Sequence, residues 1–301
     1  MIEVTTRRPA EKRTSSVLEG FVSKVTHDGW TRIVVHVILL AVAAVSLLPL
    51  VYMVSTSLKP DGTEYAFPIQ WIPNPAIWAN YPLAFAQVPT LLFLRNTLLI
   101  SATTLLGEIL TGSLAAFGFA RLRFPGRDIL FTLMLSTLML PYFVTMIPLF
   151  VLFRSVHWIN TFYPLIVPAF FGGSPIFIFL LRQFFLTLPT ELDDAAKIDG
   201  ASFFRIWWSV LMPLVRPALA TVTILSLVYH WNDFVAPLVY LNSQNNFTLA
   251  LGIFLFQGQY RTYFNQTMAY ATMMTVPILV VFFVFQKYFI QGISMTGLTG
   301  R

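Results

Sequence analysis

Six stretches of this sequence are each long and apolar enough to cross a bilayer: residues 33–57, 94–119, 129–153, 162–185, 214–240 and 268–290. A helix rises 1.5 Å per residue, so about 20 apolar residues match a hydrocarbon core of about 30 Å. Six such runs predict an all-α polytopic membrane protein with six transmembrane helices. The rest of the composition agrees. Only 11% of the 301 residues are charged and 56% are hydrophobic, against about 25% charged in an average soluble domain. A disordered chain is excluded and a water-soluble fold is strongly disfavoured. The chain has no Cys, which removes disulfides, thiolate metal sites, iron–sulfur clusters and a Cys nucleophile.

An even number of spans puts both termini on one side, and basic residues choose that side. With the N-terminus inside, Arg7, Arg8, Lys12, Arg13, Lys24 and Arg32 precede the first span, and Arg121, Arg123 and Arg127 fill the next inner loop. Arg182, Lys197, Arg205 and Arg216 flank or lie in a long inner loop, and Lys287 and Arg301 follow the last span. Lys59, Arg95, Arg154 and Arg261 remain outside. Fifteen against four predicts cytoplasmic termini. It also removes the nucleic-acid reading of the +6 net charge, because the excess is spread over separate cytoplasmic loops. The first apolar run follows some 30 polar residues and exceeds a signal-peptide core of about 7–15 residues, so it reads as an uncleaved helix.

Trp30, Trp158, Trp207, Trp208 and Trp231 fall near span ends and Trp71 and Trp78 in an outer loop, as expected of rings that prefer headgroup depth. Residues 58–92 hold six prolines, which argues against a long helix there. Residues 241–267 are rich in Asn, Gln and aromatics, including Asn242, Gln244, Asn245, Asn246, Gln257, Gln259 and Tyr260. They suit either a polar partner or a plain connection. Prolines also interrupt the spans (Pro49, Pro141, Pro148, Pro168, Pro175, Pro237, Pro277), as in broken helices that line a cavity.

The most informative loop is residues 187–213. Thr190 and Asp193 have capping-box spacing, a short helix is predicted over 191–198, and Gly200 supplies a left-handed stop. Ser202 is positioned to cap a second helix running to Pro213. The first helix, about 12 Å long, is too short to span and lies on the cytoplasmic face. Glu191, Asp193, Asp194 and Asp199 outweigh Lys197, and an acidic helix is repelled by the anionic inner leaflet. With Ile198, Phe203, Phe204 and Ile206 beside it, it reads as a docking element for a protein, the alternative being a solvated loop.

At these residues the sequence resembles a known family. Asp194-Ala-Ala-Lys-Ile-Asp-Gly-Ala201 followed by Val210-Leu-Met-Pro213 is similar to the EAA loop of ABC importer permeases, a coupling helix that docks on a cytoplasmic ATPase. Phe93-Leu-Arg-Asn-Thr97, Ala120-Arg-Leu-Arg-Phe-Pro-Gly126, Trp231-Asn-Asp-Phe-Val-Ala-Pro-Leu238 and Gln286-Lys-Tyr-Phe-Ile-Gln-Gly292 resemble the carbohydrate-uptake branch, specifically subunits like the maltose permease G component. Asp194 stands for the family's usual Glu, Trp207 for a Phe and Met212 for a Leu, and the tail 294–300 is looser than the family's small, basic end. The resemblance implies the type I importer permease fold, with a cytoplasmic segment over 1–32, a permease domain over 33–291 (core 92–290), a coupling loop at 187–213 and a cytoplasmic tail over 292–301. It implies ATPase docking through Asp194, Ala195, Ala196, Asp199, Gly200 and Ala201. The implied partners are a second permease subunit in a heterodimer, an ATPase dimer, an extracytoplasmic solute-binding protein and a sugar or polyol, in a prokaryotic inner membrane.

Catalytic motifs are missing. There is no phosphate-cradling Gly-x-x-x-x-Gly-Lys-Ser/Thr run and no His-Glu-x-x-His run. Asp233 is the one Asp near a span, short of the two a membrane aspartyl protease needs. No cofactor, no metal and no catalytic residue is expected. His230 and Asp233 share a helix face, suiting a local hydrogen bond better than a metal. Glu108 falls mid-span, where an ionised group costs about 3 kcal/mol or more and so must face protein or water. It reads either as a solute acceptor or as a structural carboxyl bonded to Thr104, Thr111 or the partner permease. Asn232 and Asp233, at the outer mouth, read as gate, partner contact or helix terminator. The absence of mid-span Lys and Arg fits a neutral solute.

The sequence therefore predicts a permease subunit of an ATP-driven sugar or polyol importer. A secondary carrier with Glu108 as its ion site is the alternative, although the two related halves such a carrier would show are not evident. A membrane scaffold without transport is a third.

Overall fold

The structure is a computed structural model that describes residues 29–64, 66–256 and 263–297, with side chains as far as 287. Arg7, Arg8, Lys12, Arg13, Lys24, Gln257, Gln259, Tyr260, Arg261 and Arg301 lie outside those residues. Among the described residues all regular structure is helical. The chain divides into two compact units, 1–55 and 56–301. The first contains most of α1 (Gly29–Ser57), a 29-residue apolar helix about 43 Å long.

The second unit begins with the proline-rich loop, whose one helix is the short α2 (Asn80–Gln87). The Asn80 Nδ2 donates to the backbone oxygens of Ser57 and Lys59 at 2.8 and 3.0 Å, which pins the loop without regular structure. α3 runs from Thr90 to Arg121 and widens into a π-turn over Glu108–Gly112. Arg127–Met139 forms α4 and Tyr142–Ser155 forms α5, folded against each other by 101°. The span expected over 129–153 is thus broken at Pro141, one of the prolines that interrupt the spans in the sequence. Pro141 causes this: it has no N–H to donate, and it drives Leu140 to an extended ψ of 119°.

α6 (Tyr163–Ile166) continues as a 3-10 turn, Val167–Phe171, and stops at Gly172 and Gly173, whose φ values are +105° and +64°. α7 (Pro175–Thr187) resumes the same span. α8 (Glu191–Ile198) and α9 (Phe203–Leu214) form the elbow expected in the 187–213 loop. α10 (Arg216–Asn232) leaves α9 at 82°, with Pro217 in its first turn, where a missing N–H costs least. α11 (Val235–Tyr240), α12 (Leu249–Gly252) and α13 (Phe264–Gly297) complete the chain. α13 stays helical to Gly297, so residues 292–297 of the expected tail belong to the last helix. Among the described residues, four helical runs are long and apolar enough to cross a membrane, and the two bent pairs bring the number to as many as six.

Two apolar cores hold the second unit together. One gathers Phe117 of α3, Leu181 and Phe185 of α7, Trp207 and Leu211 of α9 and Val222 of α10 beside the elbow. The other gathers Phe93 of α3, Trp231 of α10, Phe256 just after α12, and Tyr270 of α13. Trp207 and Trp231 are thus core residues rather than members of an interfacial belt, and Trp231 Nε1 donates to Met274 O at 3.0 Å. Along both α3 and α10, the segment between the cores carries polar side chains.

Candidate functional site

α3 presents Thr97, Ser101, Thr104, Glu108 and Thr111 at alternating spacings of four and three, so they form one polar stripe along the helix. The stripe ends at the π-turn. Opposite it stands the Gly172–Gly173 break, so two backbone irregularities face each other. The Thr111 hydroxyl accepts from Gly172 N–H at 3.2 Å and lies 2.8 Å from Gly107 O and 2.9 Å from Ala169 O, donating to one of them at a time. Gly173 is required here on two counts. Its φ is left-handed, and a Cβ on it would stand 2.8 Å from Glu108 Cγ.

Glu108 is 5% exposed. Its Oε2 accepts from the Ser226 hydroxyl at 2.5 Å and its Oε1 lies 3.3 Å from His230 Nε2. Both partners sit on α10, one turn apart. The carboxyl is therefore bonded across helices, and Thr104 and Thr111 are engaged elsewhere: Thr104 Oγ1 donates to Leu165 O at 3.3 Å. The expected local pair of His230 with Asp233 is replaced as well. His230 faces Glu108, while Asp233 caps α11 by accepting from Ala236 N–H at 3.2 Å.

Glu108 and His230 line a cavity of about 570 Å³ between α3, the α6–α7 break and α10, with Thr104, Gly173, Ser174 and Tyr229. A second cavity of about 230 Å³ adjoins it, sharing Leu165, Pro168, Tyr229 and His230, and reaches Asp233. Glu108, placed mid-span from sequence, and Asp233, placed at the outer mouth, thus lie on neighbouring cavities whose shared wall includes Tyr229 and His230. Among the described residues, neither cavity has a Lys or Arg in its wall. Asn232 lines neither; its Nδ2 donates to Val228 O on its own helix. Ser226, Tyr229 and Gly173 were not singled out by sequence. A buried carboxyl in one span demands a donor at like depth in another, and Ser226 with His230 at i, i+4 was the available signal.

The second candidate surface is the elbow. Gly200, at φ +76°, ends α8 in a Schellman motif: Ala201 N–H bonds to Ala196 O at 2.9 Å and Gly200 N–H to Lys197 O at 2.9 Å. The Ser202 hydroxyl caps α9, accepting from Arg205 N–H at 3.3 Å. The expected capping box at the other end does not form. Thr190 keeps helical backbone with no side-chain cap, and Asp193 turns inward, 7% exposed, to meet Arg121 Nε at 3.2 Å. Burial pushes the Asp193 carboxyl above its ordinary value, with Arg121 and Lys197 pulling it back down.

What remains outward on α8 and its stop is Glu191, Asp194, Ala195, Lys197, Ile198, Asp199 and Gly200. Ile198 is 87% exposed. Asp194 pairs with Lys197 at 3.0 Å. Ala196 and Ala201 are half-buried and pack on the adjoining core, so of the six residues expected to dock, these two brace the elbow from behind. Exposed Phe203 and Phe204 extend the apolar surface beyond the tip. A rigid elbow with an apolar, acidic-edged outer face suits a protein cleft. Among the described residues no three His, Cys, Asp or Glu side chains group as metal ligands.

Residues 108–295 match the family described as binding-protein-dependent transport system inner membrane component. The chain is 33% identical over 262 residues to the arabinooligosaccharides transport system permease protein AraQ of Halalkalibacterium halodurans, covering 86% of this chain and 93% of that one. It is 30% identical over 254 residues to the sulfoquinovosyl glycerol transport system permease protein SmoH of Agrobacterium fabrum, covering 84% and 89%. In fold it is similar to a chain of a crystal structure of a bacterial ABC transporter involved in the import of the acidic polysaccharide alginate. There the TM-score is 0.73 at 22% identity, covering 87% of this chain and 99% of that chain.

Proposed function

We propose, from the premise that this chain belongs to the family of binding-protein-dependent transport system inner membrane components, that it forms half of the pore of an ATP-driven importer for a neutral sugar or polyol. A second permease subunit supplies the other half, an ATPase dimer docks from the cytoplasm, and an extracytoplasmic binding protein delivers the solute. Both termini lie in the cytoplasm, as the basic residues indicate. The ion-coupled alternative is set aside, because the matching family and relatives are components of binding-protein-dependent or ABC systems.

The observation that carries this reading is the elbow. α8 is stopped by a Schellman turn, anchored from behind, and left with an exposed face of Ala195, Ile198 and Gly200 between Asp194 and Asp199. Such a face lies where a membrane protein meets a cytoplasmic partner, and its charge keeps it off anionic lipid. Movement of the docked ATPases would shift the elbow and switch the pore between outward and inward access. Glu108 and His230 offer a hydrogen-bonding wall to solute hydroxyls, with Asp233 on the adjoining cavity. The lack of Lys or Arg in those walls supports a neutral solute over an anion.

The test is the purified complex in proteoliposomes, with its co-purifying binding protein and the ligand that protein carries. Uptake that requires both ATP and the binding protein is the expected result. Uptake driven by a proton gradient with no ATPase present overturns the reading.

A further inference from the structure

Arg121, at the last residue of α3, is buried and joins three elements. Its Nε stands 3.2 Å from Asp193 Oδ2 on α8, and its guanidinium donates to Leu188 O, just past the end of α7, at 2.9 Å. Only 6% of the Arg121 side chain and 10% of the Asp193 side chain are exposed. Asp193 is the one buried acid of the elbow, since Glu191, Asp194 and Asp199 are exposed.

The chain itself ties α8 to α7 through residues 188–190 and to α10 through α9. No short loop ties α8 to α3; the two meet through the Arg121–Asp193 pair and through the apolar core that Phe117 of α3 and Ala196 of α8 share. α3 then runs unbroken from Arg121 to the π-turn at Glu108, about 20 Å away at helical rise. Glu108 in turn holds Ser226 and His230 of α10.

We infer that the Arg121–Asp193 pair is the strut that passes movement of the docked elbow to α3, and through α3 to the Glu108 wall of the cavity. Arg suits the role because its guanidinium pairs with the Asp193 carboxylate by charge while it donates a hydrogen bond to the Leu188 carbonyl. A buried pair also resists sliding, since separation leaves a desolvated charge. Both residues are positioning residues. They touch neither solute nor nucleotide. The inference rests on the reading of α8 as the ATPase-docking helix.

The test uses the complete complex in proteoliposomes and reads solute imported per ATP hydrolysed. Arg121→Ala leaves a buried lone carboxyl and can lower the yield of complex, so the deciding variant is the double Arg121→Gln with Asp193→Asn, which removes both charges and keeps polar shape. The expected result is normal assembly and ATP hydrolysis, with solute per ATP reduced at least tenfold. Asp193→Glu, which preserves the charge, restores part of the wild-type ratio. Wild-type solute per ATP in the assembled double variant overturns the strut. Loss of assembly in that variant overturns it too, because the pair is then a packing element only. A bulky residue at Gly200 separates this failure from that of the docking reading. If it leaves coupling intact the docking itself is wrong, and if it uncouples while the double variant does not, the strut alone is wrong.

Discussion

Glu108 and His230, 122 residues apart in sequence, meet at 3.3 Å in the wall of the larger cavity, with Ser226 closing the other side of the carboxyl at 2.5 Å. The contact joins the π-turn of α3 to the last turn of α10 and, with Ser226, brings a carboxyl lying between the two apolar cores within reach of two side chains on a single helix face. Leaving a buried acceptor without its donor costs about 1–3 kcal/mol. Ser226→Ala is therefore expected to destabilise the detergent-solubilised complex by that amount, read as a lowered midpoint of thermal unfolding. Glu108→Gln is expected to cost less than Glu108→Ala, since the amide keeps an acceptor for Ser226 and leaves no gap. An alanine at 108 as stable as wild type would show that the cluster holds nothing.

Gly173 supplies the clearance on which that cluster depends. Gly173→Ala incurs about 1–2 kcal/mol for the left-handed backbone and adds a methyl 2.8 Å from Glu108 Cγ. Gly126→Ala is the control. Gly126 has φ +79° and nothing within 4 Å of a built Cβ, so it carries the backbone cost alone. The excess loss at 173 over 126, in unfolding midpoint and in uptake, measures the displacement of Glu108. Equal effects at the two positions would remove Gly173 from the site.

The tip of the elbow separates folding from coupling. Gly200 is left-handed at φ +76°, yet a Cβ there meets nothing within 4 Å. Gly200→Ala and Gly200→Trp thus incur the same backbone cost, about 1–2 kcal/mol, and both fit within this chain. Matching unfolding midpoints are expected, with uptake largely kept in the alanine variant and abolished in the tryptophan variant. The difference reports the partner surface. Equal uptake would place the tip in open water.

The same contrast between local and long-range contacts decides what could be read from sequence. Gly200 and Ser202 were legible because a left-handed stop and a helix cap need only their own neighbours. The spans were legible because bilayer thickness sets a length. Glu108 was legible as an intramembrane carboxyl, but its partners were sought among Thr104 and Thr111 on its own helix, whereas the structure supplies Ser226 and His230. Interhelical partners depend on how two helices rotate against each other, which periodicity does not specify. Asp193 failed for a related reason: a capping role is local, and a buried Arg121 outcompeted it. The bend at Pro141 was within reach, since its proline was noted as an interruption, but its 101° size depends on what the two halves pack against.

Asn160 ties its own loop to residues 242–246, part of a segment that the sequence leaves open as partner surface or plain connection. At φ +63° it directs Oδ1 to accept from Asn242 N–H at 3.0 Å and Ser243 N–H at 2.8 Å, while Nδ2 donates to Ser243 Oγ at 2.7 Å. Its carbonyl accepts from Asn246 Nδ2 at 2.8 Å. Asn242 and Asn246 are therefore engaged within the chain. Each side-chain bond contributes about 0.5–1.5 kcal/mol, and asparagine tolerates the left-handed region better than most residues. Asn160→Asp keeps both acceptor bonds and lets Ser243 donate in return, so its unfolding midpoint should lie just below wild type. Asn160→Gly keeps the backbone and loses the side-chain bonds. Asn160→Ala loses them and adds left-handed strain of about 1–2 kcal/mol. The expected order of midpoints is wild type, Asp, Gly, Ala, and an alanine variant more stable than the glycine variant would mean that residue 160 leaves the left-handed region once its side chain is gone.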